Sequence, residues 1–254
     1  MEQTNKRKTG WRIVLIAACA IAALCVIGIM AYMLPRWLSL NRIVTPAPMP
    51  TISGDELPDN PINFAALQAK NPDTVAWIQI PGTVIDYPVM RSGEDRAENF
   101  YLDHNSEGKS HVAGAIYMQK LNDADFFDPN TVLYGHDMRN GSMFAGLHRY
   151  KKKAFFDEHS TITVYTPGHI LTYEIYSAFV YDNRHILNSF NFYNNDDYAA
   201  FLQQTLNPAS MTRQVREGVS VTTNARILTL STCTGISTQR YLVVGVLTND
   251  QQTK

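Results

Sequence analysis

Eight stretches of the chain, at residues 74–80, 84–89, 113–118, 131–135, 161–166, 170–181, 226–232 and 241–247, are rich in β-branched and aromatic residues. Their length and composition predict strands. Pro81-Gly82 and Pro167-Gly168 supply turn chemistry between them. Helical punctuation falls at 142–150 and 196–206. In the second, Tyr198, Phe201, Leu202 and Leu206 recur near helical spacing, and Asp196-Asp197 is placed to cap the start. A shorter helix is expected from Pro61, with proline in the first turn. The pattern predicts a mainly β domain, and eight short strands favour a closed or nearly closed barrel, because closure removes exposed edges.

Residues 13–34 carry no charge, and a run of that length can cross a bilayer core. Lys6, Arg7, Lys8 and Arg12 precede it, which places the N-terminus on the cytoplasmic side. A cleaved signal peptide is the competing reading, but the run is longer than a signal core and leads to no Ala-x-Ala site. The expected organisation is a cytoplasmic basic tail (1–12), a transmembrane anchor (13–34), a proline-punctuated extracytoplasmic linker (35–60) and one domain large enough for a real core (61–254).

Charge narrows the function. The chain has 22 basic and 23 acidic side chains, and without the N-terminal tail the balance is −4. That excludes the basic footprint of a nucleic-acid binder. Lys151-Lys152-Lys153 reads as a solvated face.

Cys19 and Cys25 lie in the apolar segment, so Cys233 is a lone thiol in the domain expected outside the cytoplasm. It is either a small buried hydrophobe or a used nucleophile. Arg240 opens the next apolar run. If the two flanking strands pair as a hairpin, Cys233 and Arg240 share one rim, where a guanidinium favours a thiolate and can donate to an oxyanion. A thiol nucleophile also needs a proton-transfer partner. Of seven histidines, His136 stands out in Tyr134-Gly135-His136, just past a buried-looking strand and after a glycine that permits an unusual backbone turn. His148 follows Leu147 on a predicted helix face and reads as a half-buried packing residue. No His-Glu-x-x-His or paired Cys-x-x-Cys spacing occurs, so no metal site is expected.

Tyr134-Gly135-His136, then Thr229-Leu230-Ser231-Thr232-Cys233, then Arg240, in that order, resemble the sortases, cysteine transpeptidases of Gram-positive cell surfaces. The early helix, Tyr101-Leu102-Asp103-His104, Gly114-Ala115-Ile116-Tyr117-Met118 and the helix 196–206 resemble class B. The resemblance implies a sortase-like eight-stranded β-barrel with an N-terminal helix and a helix inserted before the cysteine strand. It also implies three catalytic residues. Cys233 would form a thioacyl intermediate at the Thr carbonyl of a sorting motif, and His136 would move protons on and off the amines. Arg240, with a backbone N–H near Thr234, would hold the oxyanion. Tyr134, Ser231 and Asn99 would line the substrate groove, with 181–191 as its wall. Thr234 stands where some class B members carry an acidic residue.

The implied partners are secreted proteins bearing a sorting signal, an amine of a peptidoglycan precursor or a pilin, and the membrane; no cofactor is implied. The alternatives are a pilin-polymerising sortase and a non-catalytic, membrane-tethered binding module. An L,D-transpeptidase expects Ser-x-Gly-Cys, and a papain-like enzyme expects the cysteine before the histidine; neither fits.

Overall fold

Each of the eight predicted stretches contributes a strand, and the strands close on themselves. The protein is represented by a computed structural model that describes residues 57–254. The basic tail, the apolar segment 13–34 and most of the linker lie outside the described residues. Among the described residues no helix is long and apolar enough to cross a membrane. Apart from Glu217–Ser220, they belong to one compact unit.

The strands are β1 (Thr74–Gln79), β2 (Asp86–Arg91), β3 (Ile116–Met118), β4 (Asn130–Tyr134), β5 (Thr161–Thr166), β6 (His169–Asp182), β7 (Arg213–Val215), β8 (Ile227–Cys233) and β9 (Gln239–Gln252). Their order is β5-β1-β2-β3-β4-β8-β9-β6, and β6 pairs back onto β5, which closes an eight-stranded barrel. The ninth strand, β7, joins the outer half of β6, opposite Ser177, Ala178 and Phe179. At three residues it is too short to leave a periodic signal in the sequence.

The helices are α1 (Phe64–Lys70), α2 (Lys153–Glu158), α3 (Ile186–Ser189) and α4 (Asn195–Leu206), with a 3₁₀ helix over Phe144–Lys151. Helix α1 begins three residues after Pro61, because the Asn63 side chain accepts from the Ala66 N–H and sets the start. In α4 the cap is Asn194, whose side chain accepts from the N–H groups of both Asp196 and Asp197. The two carboxylates therefore occupy the first turn, where they complement the helix dipole, and do not cap it. Ordered packing also starts before Pro61: Asn60 donates to the Thr166 carbonyl at 2.9 Å.

Alternation explains β1, buried at Thr74, Ala76 and Ile78 and half-buried between. The runs in β8 and β9 are buried on both faces. Their inner residues Leu228, Leu230, Tyr241 and Val243 share one core with Phe144, Leu147, Tyr150, Phe155 and Phe156 from the 3₁₀ helix and α2. Helix α4 covers β6: Thr205 bonds Tyr176 at 2.8 Å, and its carbonyl accepts from Ser177 at 2.6 Å. Burying Tyr198, Phe201 and Leu202 contributes about 1.5–3 kcal/mol each.

Strand β9 runs five residues past the apolar stretch. The polar tail is held because Asn249–Gln252 continue the ladder with the start of β6. Buried Asp250 there bonds His169 at 2.7 Å and Arg226 at 2.6 Å. A buried carboxylate needs such partners.

The many buried tyrosines make a prediction. Burial, then a hydrogen bond to Asp73, pushes the Tyr101 phenol up to about 12, and burial does the same to Tyr117. Tyr150, Tyr173, Tyr176, Tyr198 and Tyr241 are pushed higher still, also by burial. The unfolded chain releases these protons near pH 10 while the folded chain keeps them, so the folded state binds more protons and stability falls as pH rises. Denaturant titrations of the 57–254 region should show stability constant from about pH 7 to 9 and declining steadily between about pH 10 and 12. A flat profile through that upper range would contradict the burial of these hydroxyls.

Candidate active site

Strand topology converges three ends on one rim. β4 and β8 pair in parallel, with Tyr134 opposite Ser231, so both C-terminal ends lie side by side. β8 and β9 pair antiparallel, with Cys233 opposite Arg240, so the start of β9 joins them. His136 follows β4 by two residues, Cys233 ends β8, and Arg240 is the second residue of β9. These three side chains, from three strand ends, line one cleft of about 240 Å³.

Tyr134 and Ser231 line the same cleft, as do Leu102, Tyr117 and Tyr181–Ile186. Asn99 does not; it is exposed at the N-cap of the 3₁₀ turn Phe100–Leu102, and Leu102 supplies the wall there. The segment read as a groove wall divides at α3: 181–186 face the cleft, whereas 187–191 face a separate depression of about 480 Å³. That depression is larger but holds none of the three candidate catalytic side chains.

Cys233 is exposed and unpaired, as a nucleophile requires and a core residue does not. Its neighbour Thr232 is buried and donates through Oγ1 to the Gly135 carbonyl at 2.7 Å, while Gly135 donates to the Ser231 carbonyl at 3.2 Å. These two bonds lock the cysteine strand to the histidine strand immediately below the rim. Gly135 has ordinary backbone angles; what it provides is room. A Cβ there would lie 2.5 Å from Ile116 Cδ1 and 2.7 Å from the Phe144 ring.

The His136 ring is held by the Leu102 carbonyl, 2.7 Å from Nε2. A carbonyl only accepts, so Nε2 carries the proton in this arrangement. The carbonyl is itself placed by Gly114, whose positive φ of 55° lets the chain pass where a Cβ would strike the Tyr101 and Leu102 carbonyls. Arg240 is anchored through Nη1, which donates to the Gln239 carbonyl at 2.8 Å and the Ser237 carbonyl at 3.2 Å. Thr234 Oγ1 accepts from the Ile236 N–H at 3.3 Å, so the residue after the cysteine shapes the loop.

The cleft floor is a stacked pair, Tyr117 and Tyr134, with centroids 5.5 Å apart. Burial raises both phenols, and the nearby Arg240 charge opposes the rise at both. They remain neutral donors at physiological pH. The Tyr134 hydroxyl is buried with no hydrogen-bond partner among the described residues. A second histidine also reaches the cysteine. His148 Nε2 lies 3.0 Å from the Cys233 carbonyl oxygen and 3.1 Å from Asp137 Oδ2. Neither Asp137 nor His148 carries a local sequence signal for this contact, which exists only because β4, β8 and the 3₁₀ helix meet.

Known proteins share this fold. A sortase-domain family model matches residues 78–248. Sortase B of Listeria monocytogenes is 35% identical over 170 residues, covering 66% of this chain and 65% of that protein, just under two thirds of its length. The crystal structure of Clostridium perfringens sortase B superposes with a TM-score of 0.64 at 34% identity, covering 73% of this chain and 99% of that one. A Staphylococcus aureus sortase B–substrate complex gives 0.64 at 30% identity, over 74% and 86% of the two chains. With its fold and two thirds of its length matched in this way, the chain belongs to the sortases, and within them it groups with class B.

Proposed function

We propose that this protein cleaves secreted proteins at a C-terminal sorting motif of the x-Pro-x-Thr-Gly/Asn type and transfers them to a cell-wall amine. The observation that carries this reading is the pairing of exposed Cys233 directly opposite Arg240 at the rim of a cleft that His136 also lines. The Cys233 thiolate adds to the Thr carbonyl carbon, and the resulting oxyanion is stabilised by the Arg240 guanidinium and the Thr234 N–H. Collapse breaks the C–N bond; His136 gives its proton to the departing amine, leaving a thioester on Cys233. An incoming amine then attacks the thioester and loses its proton to His136, and the thiolate departs.

In this reading the apolar segment 13–34 is a single-pass anchor with the catalytic domain outside the cytoplasm. Donor protein and acceptor amine are both held at the outer membrane face, so tethering the enzyme there raises the effective concentration of each. No observation favours pilin polymerisation over cell-wall attachment.

The test is a fluorogenic peptide panel of the Leu-Pro-x-Thr-Gly, Asn-Pro-x-Thr-Asn and Ser/Pro-Pro-x-Thr-Gly types, incubated with residues 35–254. Cleavage after Thr is expected for a motif with proline second, together with a mass shift on Cys233 corresponding to the acyl group. Cleavage that persists in Cys233→Ala would refute the assignment.

A further inference from the structure

Sequence reading treats His148 as packing, but its ring grips the nucleophile's own backbone. Nε2 is within hydrogen-bond distance of two acceptors, the Cys233 carbonyl at 3.0 Å and the Asp137 carboxylate at 3.1 Å. Both only accept, so Nε2 must carry a proton shared between them. Nδ1 is buried with no partner among the described residues. An unpaired buried nitrogen is a cost that a purely space-filling apolar residue would avoid. The ring therefore serves through Nε2.

What it controls follows from strand geometry. Gly135 donates to the Ser231 carbonyl, so carbonyls of alternate β8 residues face β4. The Cys233 carbonyl, two residues on, faces the same side, but β4 has ended and His148 takes its place. A trans peptide is planar, so the N–H of Thr234 lies on the opposite edge from that carbonyl. That edge faces β9, where Arg240 is the cross-strand partner of Cys233. Fixing the carbonyl on one side aims the N–H toward the guanidinium on the other.

The loop after β4 builds the device. Phe144 donates to the His136 carbonyl at 3.0 Å, and Asp137 and Met143 form an isolated bridge. These bonds fold the 3₁₀ helix back against β8. His136 then enters the cleft, while Asp137 turns to His148. The His148 ring also packs against that of Tyr241, with centroids 5.2 Å apart, which limits its tilt.

We propose that His148, oriented by Asp137, is a positioning residue that fixes the Cys233–Thr234 peptide so that the Thr234 N–H points into the oxyanion site. The inference rests on the transpeptidase reading of the cleft. It concerns neither the thiolate nor the proton transfers assigned to His136.

The test compares His148→Gln with His148→Asn on a cleaved peptide. The glutamine amide nitrogen reaches about as far as Nε2, whereas the asparagine amide stops short by one methylene. His148→Gln should keep kcat within about threefold, and His148→Asn should lose about 10–50-fold in kcat with KM within about twofold, somewhat less than deletion of an oxyanion donor. Alkylation of Cys233 by iodoacetamide forms no oxyanion and should proceed at the wild-type rate in both. Wild-type kcat in His148→Asn would overturn the proposal, as would equal losses of alkylation and turnover. If His148→Asn does not fold by circular dichroism, Asp137→Ala decides, with an expected kcat loss of about 3–10-fold at unchanged alkylation. A wild-type enzyme that alkylates at Cys233 but cleaves no motif peptide would instead remove the transpeptidase reading, and this inference with it.

Discussion

Replacing Arg240 with lysine lowers kcat by about 10²–10³-fold, the scale of losing an oxyanion-hole donor. Charge is conserved, so the loss measures geometry. In the structure one guanidinium nitrogen, Nη1, is spent on the Gln239 and Ser237 carbonyls, which orient the group along the loop. The remaining N–H donors of the planar fork stay available to the cleft. An ammonium on a flexible stem has no such division of labour: it either satisfies the loop carbonyls or reaches the oxyanion. Steady-state kinetics on the cleaved peptide should show the loss in kcat, with KM little changed. Cys233 alkylation in the same variant reports whether the thiol is still accessible. Near-normal kcat in Arg240→Lys would refute the oxyanion role.

Much of this site was legible in the sequence because the chemistry sits where strands end. A strand ending in a lone cysteine, an arginine opening the next strand and a histidine two residues past a third are local patterns. Parallel pairing of β4 with β8 and antiparallel pairing of β8 with β9 convert them into one rim. The eight strands were readable for the same reason, since β-branched runs mark them. What escaped depends on tertiary partners. The end of β9 is polar and becomes a strand only because β6 is long enough to pair with it and Asp250 finds His169 and Arg226. The contact of Leu102 with His136 is made by a backbone carbonyl, which no residue type announces. His148 reads as a packing residue because its partner, a carbonyl on another strand, is invisible in one dimension. Asn99 is exposed at the N-cap of the 3₁₀ turn, three residues before the wall residue Leu102, and is not among the residues that line the cleft.

Gly135→Ala is expected to destabilise the domain by about 1–3 kcal/mol, as overpacking a full core does. It should also lower kcat by about 10²-fold, the scale of a 1 Å misplacement of a catalytic group. The added methyl has no free volume: Ile116 and Phe144 are both fully buried, and it would meet them at 2.5 and 2.7 Å. Relief comes most directly by moving the 135–136 backbone, which carries the imidazole. That shift also strains the Thr232–Gly135 bond tying the histidine strand to the cysteine strand. The paired variant Gly135→Ala/Ile116→Val removes the colliding Cδ1 and tests the cause. Thermal melts and peptide kinetics should both recover part of the loss, because the methyl then has somewhere to go. If the double variant regains stability but not turnover, the Phe144 contact is the one that displaces His136. If Gly135→Ala alone melts and turns over like the wild type, the close approach at Gly135 does not hold the histidine in place.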